Sequence, residues 1–183
     1  MSLIDDFIQS GEKFLKICNS SDYSRFKAWE FCYNKFNDEK TTDVDELSLY
    51  IALYLANWGM YRNSFLLETN YKINNDIVKL IKEFQIKYQD DIKITSKEEL
   101  ERLLDKDEFF ENIEKLGNDI EKTYKAILDK LNQNKENKKY KDGITDTLKT
   151  KIIMGSLGIT PACDRFFLLA ISEINKVEIK LGR

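Results

Sequence analysis

Histidine is missing from all 183 residues, which removes Ser-His and Cys-His nucleophile pairs and the imidazole ligands of most catalytic zinc sites. Any acid–base chemistry falls to Asp, Glu, Lys, Tyr or Cys. Proline occurs once, at Pro161, and glycine seven times, so the chain lacks the composition of collagen-like or low-complexity disordered sequences. Cysteine occurs three times, at Cys18, Cys32 and Cys163, with no C-x-x-C pair. Any disulfide would leave one thiol over, so reduced thiols in a cytoplasm are expected. The longest nearly uncharged run, Leu47 to Tyr61, falls short of the ~20 apolar residues a bilayer span needs and contains Asn57 and several tyrosines. The opening Met1-Ser2-Leu3-Ile4-Asp5-Asp6 has no basic stretch before an apolar one and meets acid at once, which is not the pattern of a secretory signal.

What is present is a 42% apolar, 12% aromatic, 33% charged chain, the composition of one compact domain over 1–183. A chain of this length buries roughly 70% of its unfolded surface and needs no metal or disulfide staple. No cofactor and no metal site is expected. The formal charge is only −3, but residues 90–121 hold 12 acidic and 5 basic side chains, whereas 122–183 hold 7 acidic and 13 basic. Lysine supplies 24 of the 29 cations, mostly where a solvated helix face would put them.

Apolar residues recur at helical spacing throughout and no run alternates strictly, so the expectation is an all-α, single-domain bundle of about seven or eight helices. A first helix is expected over about Leu3–Ile17, with Phe7, Phe14, Leu15 and Ile17 inward, and Asp22 is placed to cap the second. There Phe26, Trp29, Tyr33 and Phe36 form one aromatic stripe of the kind a buried face requires. A third helix, capped by Thr42 or Asp43, turns Leu47, Ile51, Tyr54, Leu55 and Trp58 inward and is expected to be buried on most sides, with Leu49 and Leu53 widening the face. Gly59 interrupts it. Ile77, Leu80, Ile81 and Phe84 mark a helix over about Asn74–Tyr88, and Ser96-Lys97-Glu98-Glu99 reads as a capping box. From about Asp107 to Leu131, Phe109, Ile113, Leu116, Ile120, Tyr124, Ile127 and Leu131 repeat at fours and threes, a seam expected to pack within the domain, with half of an oligomer contact as the alternative. The Lys/Asn-rich stretch 132–143 reads as an exposed, mobile loop.

Two segments carry charge beside apolar surroundings. In Trp58-Gly59-Met60-Tyr61-Arg62, Arg62 next to a buried aromatic helix requires water or an anion, and a guanidinium fork suits a carboxylate or phosphate. In Lys151-Ile152-Ile153-Met154-Gly155 and the following residues to Phe167, Gly158 suits a left-handed helix stop, while Thr160 and Pro161 suit the cap and first position of the next helix. Asp164 and Arg165 then fall in its first turns. Pairing of Arg62 with Asp164, with Lys151 facing the same space, is expected. Gly158-Ile159-Thr160 lacks the second glycine of a phosphate-gripping helical hairpin. Cys163 reads as a small buried residue.

At Trp58-Gly59-Met60-Tyr61-Arg62, at Lys151-Ile152-Ile153-Met154-Gly155, at Pro161-Ala162-Cys163-Asp164-Arg165-Phe166-Phe167 and at Trp29-Glu30-Phe31-Cys32-Tyr33, the chain resembles a group of uncharacterised bacterial all-helical proteins with W-G-M-x-R and P-A-x-D-R-x-F segments. Asn63-Ser64-Phe65 departs from the small Gly/Ser-rich step that follows the arginine there. The resemblance implies a helical fold, points to Trp58, Arg62, Lys151, Asp164 and Arg165, and implies no reaction.

These observations lead to a cytoplasmic helical binding or interaction protein, monomer or homodimer, with an anion-binding pocket formed by Trp58, Tyr61, Arg62, Lys151, Asp164 and Arg165. Its partner would be another protein or a small anionic ligand, not a membrane. Two alternatives stay open: a nucleic-acid-associated accessory of a bacterial defence or mobile element using the basic C-terminal third, and a histidine-independent enzyme acting on a phosphate or carboxylate substrate through Asp164 with Lys151 or Tyr61.

Overall fold

A computed structural model describes residues 3–21, 26–62, 64–93, 96, 99, 102–103, 105–133 and 144–172. Among these there is no strand, and the chain is an all-α bundle. Its helices are α1 (Leu3–Asn19), α2 (Lys27–Asn37), α3 (Val44–Asn57), α4 (Asn75–Lys87), the single turn α5 (Gln89–Ile92), α6 (Asp107–Gln133), α7 (Asp146–Leu157) and α8 over 165–172, with one-turn 3-10 segments at Phe65–Glu68 and Tyr71–Asn74.

Local chemistry accounts for the boundaries. The Asp43 side chain accepts the Glu46 amide and starts α3. Gly59, at φ 75°, ends it: the Met60 amide bonds Leu55 O and the Gly59 amide bonds Ala56 O, the paired closure of a left-handed stop. Thr145 caps α7 through the Leu148 amide, and Gly158 at φ 71° closes it. Ser96 and Glu99 exchange side-chain-to-amide bonds of 3.2 Å in both directions, the capping box expected there.

The core forms where α3 and α7 meet α2, α4 and α6. Phe36, Leu47, Leu55, Ile77, Ile81 and Ile120 are sealed from solvent, and a fully buried side chain of this size contributes roughly 1.5–3 kcal/mol. The α6 seam packs inside the molecule: Phe109, Leu116, Ile120 and Tyr124 are buried against the other helices and Ile113, Ile127 and Leu131 half-buried, while Leu128, outside the expected seam, is buried as well. The stripe on α2 also faces inward. Trp29 stacks on Tyr33 at 5.6 Å and donates its indole N–H to Met154 O at 3.0 Å, which ties α2 to α7. Lys82 and Gln85 of α4 both donate to Phe36 O, satisfying a carbonyl at the end of α2.

Several expected faces are corrected. Phe14, Leu15 and Ile17 of α1 are exposed, because an apolar stripe is covered only where another element reaches it; α1 meets the body at the Phe14–Phe26 ring contact, 4.9 Å edge-on. Leu49 and Leu53, one turn apart on α3, are also exposed: α2, α4 and α7 take the other side of that helix, so it is not buried on most sides. Helix α8 starts at 165, not at Pro161. Asp164 Oδ1 accepts the amides of Phe166 and Phe167 at 3.1 Å each, whereas the Thr160 hydroxyl turns to Pro161 O. The Asp22 cap, Phe7 as a side chain and the loop from 134 to 143 lie outside the described residues, while Asn132 and Gln133 still belong to α6.

An ion-pair chain joins α6 to α7: Glu121 holds Lys125 at 2.6 Å and Lys149 at 2.7 Å, and Lys149 also reaches Asp146 at 2.9 Å. The hydrogen bonds from these two lysines pull the Glu121 carboxyl from 4.5 down to about 2. A carboxyl depressed on folding stabilises the fold above its unfolded value and loses that contribution as pH falls through the folded one. Between pH 4.5 and 2, the fall in unfolding midpoint is therefore expected to be shallower in Glu121→Gln than in the parent, as measured by thermal melts across that range. Parallel curves for the two proteins would dismiss the coupling.

Candidate functional site

Of the six residues singled out by sequence, three come together. Lys151 lies on the inner face of α7, with its side chain only 7% exposed; its ammonium stands 5.2 Å from the Trp58 ring centroid and 3.9 Å from Asp164 Oδ2. Such a desolvated ammonium is tolerable only beside compensating charge and π density. Tyr54 adjoins the cluster, its ring 6.3 Å from that of Trp58. Burial pushes the Tyr54 phenol up, and the neighbouring Cys32 thiol and Asp164 carboxylate add to the shift.

The other three do not join it. Arg62 is exposed, and among the described residues no ion pair links it to Asp164. The expected Arg62–Asp164 pairing is thus corrected: Asp164 faces Lys151 with one oxygen and caps α8 with the other, and Arg62 lies exposed just past the Gly59 turn. Arg165 is exposed on α8. Tyr61 belongs to a different polar centre. Its phenol, pushed up by burial, is pulled back by a hydrogen bond with Asn74. Asn74 is fully buried; it accepts the Tyr124 hydroxyl at 2.7 Å and donates to Ser48 O at 3.4 Å. This network ties the α3 backbone, α6 and the 3-10 turn to one another, while the buried Ser48 hydroxyl beside it makes no hydrogen bond.

Sequence reasoning passed over a third feature. Between α6, α7 and the 160–168 segment lies a cleft of about 550 Å³, bordered by Ile113, Gly117, Thr150, Ile153, Cys163 and Leu168. Two threonines one turn apart on α7 hold one of its walls: Thr147 donates to Cys163 O at 2.8 Å, and Thr150 accepts the Cys163 amide at 2.8 Å. A glycine beside the Ile113–Leu116–Ile120 seam was the readable signal. That Thr147 and Thr150 meet Cys163 was not, because nothing in their spacing names a partner 13 to 16 residues on.

The three cysteines are free; Cys163, expected to be buried, is only half-buried because it borders the cleft, whereas Cys32 is buried, which pushes its thiol up to about 12. Among the described residues no group of three or more His, Cys, Asp or Glu side chains is placed to hold a metal, and no helix is long and apolar enough to cross a membrane. In comparisons with protein families, curated proteins and solved structures, the chain matches none.

Proposed function

We propose that this chain is a helical interaction protein whose docking element is α8 and whose partner is the apolar face of another protein. One observation carries the reading: within eight residues, Phe166 is 80% exposed and Leu168, Leu169 and Ile171 stand out beside it, a density of uncovered apolar surface that marks contact sites. The 165–172 stretch, Arg-Phe-Phe-Leu-Leu-Ala-Ile-Ser, carries a single cation, whereas a helix that lies on a lipid surface is rich in Lys and Arg on its polar side. A protein surface fits better. The free cysteines are in keeping with a reducing cytoplasm.

The alternatives find less support. An anion pocket on Lys151 would have to displace or tolerate the Asp164 carboxylate already facing it. Acid–base catalysis calls for a perturbed group free to act in an open cleft; Cys32, Tyr54 and Tyr124 are shifted because they are sealed in the core, and Lys82, lowered by burial at the edge of a surface pocket, is engaged by Phe36 O and Gln85.

A photo-crosslinking residue placed at 168 in cells, with one at the charged surface position 111 as control, tests this. Adducts to one discrete protein are expected from 168 and absent from 111. Equal adducts from both positions, or adducts only to lipid or to a second copy of the chain, would overturn it.

A further inference from the structure

Gly117 sits in the interior of α6, where glycine costs about 1 kcal/mol relative to alanine. Packing within the chain does not call for it. Gly117 is buried, yet among the described residues, its two chain neighbours and its own helix backbone aside, nothing lies within 4 Å of the point where a Cβ would stand. Gly155 on α7 makes the contrast, since there a Cβ would come to 2.5 Å from the Tyr54 ring. The space kept open at Gly117 belongs to the 550 Å³ cleft, a volume within the range of small-molecule sites.

The chemistry of the walls narrows the occupant. Ile113, Ile153 and Leu168 are apolar, and the hydroxyls of Thr145, Thr147 and Thr150 are spent on the Leu148 amide, on Cys163 O, and on Asp146 O with the Cys163 amide. Thr147 and Thr150 therefore offer a ligand little hydrogen bonding, and the neutral polar groups left at the border are the hydroxyl proton of Thr145, the Thr160 hydroxyl and the Asn118 amide. Among the described residues lining the cleft the one cation, Lys149, is held between Glu121 and Asp146, so it is not available to an anion. Glu114 and Asp146 give the border one carboxylate more than its ammonium count, and Glu114 makes no ion pair among the described residues.

We infer that this cleft is a binding site for a small apolar molecule carrying one positive charge, an alkyl- or arylammonium, with its hydrocarbon over Gly117 and its ammonium toward Glu114. The cleft shares Leu168 with the exposed face of α8, but Gly117 and Glu114, which carry the assignment, lie on α6, so the site stands whether or not that face docks a partner.

Calorimetric titration of the full chain with octylammonium, octanol and octanoate, each below its micellar concentration, tests it. Octylammonium is expected to bind one to one and about ten-fold more tightly than octanoate, a difference of ~1.4 kcal/mol. Glu114→Gln should weaken octylammonium several-fold and leave octanol unchanged. Gly117→Leu should abolish binding of both, and Gly117→Ala, which adds one methyl to the same floor, should weaken them while raising the unfolding midpoint. The Ala variant guards against a Leu variant that fails to fold. Absence of saturable octylammonium binding, equal affinity for octanoate, or full affinity in folded Gly117→Leu or in Gly117→Ala would each overturn the assignment.

Discussion

Gly155→Val is expected to destabilise the protein by about 3 kcal/mol, the upper part of the range for forcing extra volume into a packed interior. A Cβ at 155 would stand 2.5 Å from Tyr54 Cε1 and 2.7 Å from Cδ1, distances that real Cβ atoms essentially never show. The ring has little room to retreat: Tyr54 is 1% exposed and leans on Trp58. Helix propensity works in the other direction by a few tenths of a kcal/mol, too little to offset the clash. Urea denaturation of the variant should show a lower midpoint with an unchanged slope, since the unfolded state is the same. An unchanged midpoint would mean that Tyr54 can swing aside and that α3 and α7 do not depend on their close approach here.

Asp164→Ala should cost about 2 kcal/mol, combining the loss of a helix cap with the loss of a carboxylate facing a buried ammonium. Two amides, those of Phe166 and Phe167, lose their acceptor, and Lys151 Nζ loses the oxygen 3.9 Å away while remaining by the Trp58 ring. The two contributions separate in a double-mutant cycle. Lys151→Met fills a similar volume without charge, so Asp164→Ala added to Lys151→Met should cost less than Asp164→Ala alone, the difference being the charge coupling. Hydrogen exchange adds a local reading: amides at 166 and 167 should lose protection in Asp164→Ala even on the Lys151→Met background, because the cap is lost in both. Additive costs in the cycle would show that the 3.9 Å pair contributes nothing, leaving Asp164 as a cap alone.

The two experiments bear on different parts of the architecture. Gly155 governs how closely α7 can approach α3, hence where Lys151 lies beneath Trp58. Asp164 governs where α8 begins, hence which of its side chains face outward. Both residues lie within the segment flagged from sequence, but for reasons the sequence did not disclose: the apparent partner of Asp164 was Arg62, and the helix start was assigned to Thr160 and Pro161.

The features legible in the residues without the fold are local. Hydrophobic spacing specified the helices, because a side chain three or four residues on is a neighbour whatever the rest of the chain does. Asp43, Gly59, Ser96 with Glu99, and Gly158 marked helix ends, because a cap is satisfied within a few residues. The tertiary structure decided the rest. Leu49 and Leu53 are as apolar as Leu47 and Leu55, and only the placement of α2, α4 and α7 around α3 leaves the first pair in water and buries the second. Asn74 found Tyr124 across 50 positions, Trp29 found Met154 across 125, and Lys151 rather than Arg62 found Asp164. The vacant space beside Gly117 likewise exists only because α6, α7 and the 160–168 segment meet around it. Periodicity states that a face is apolar; which element covers it, and which charge answers a buried charge, depends on the packing of segments far apart in the chain.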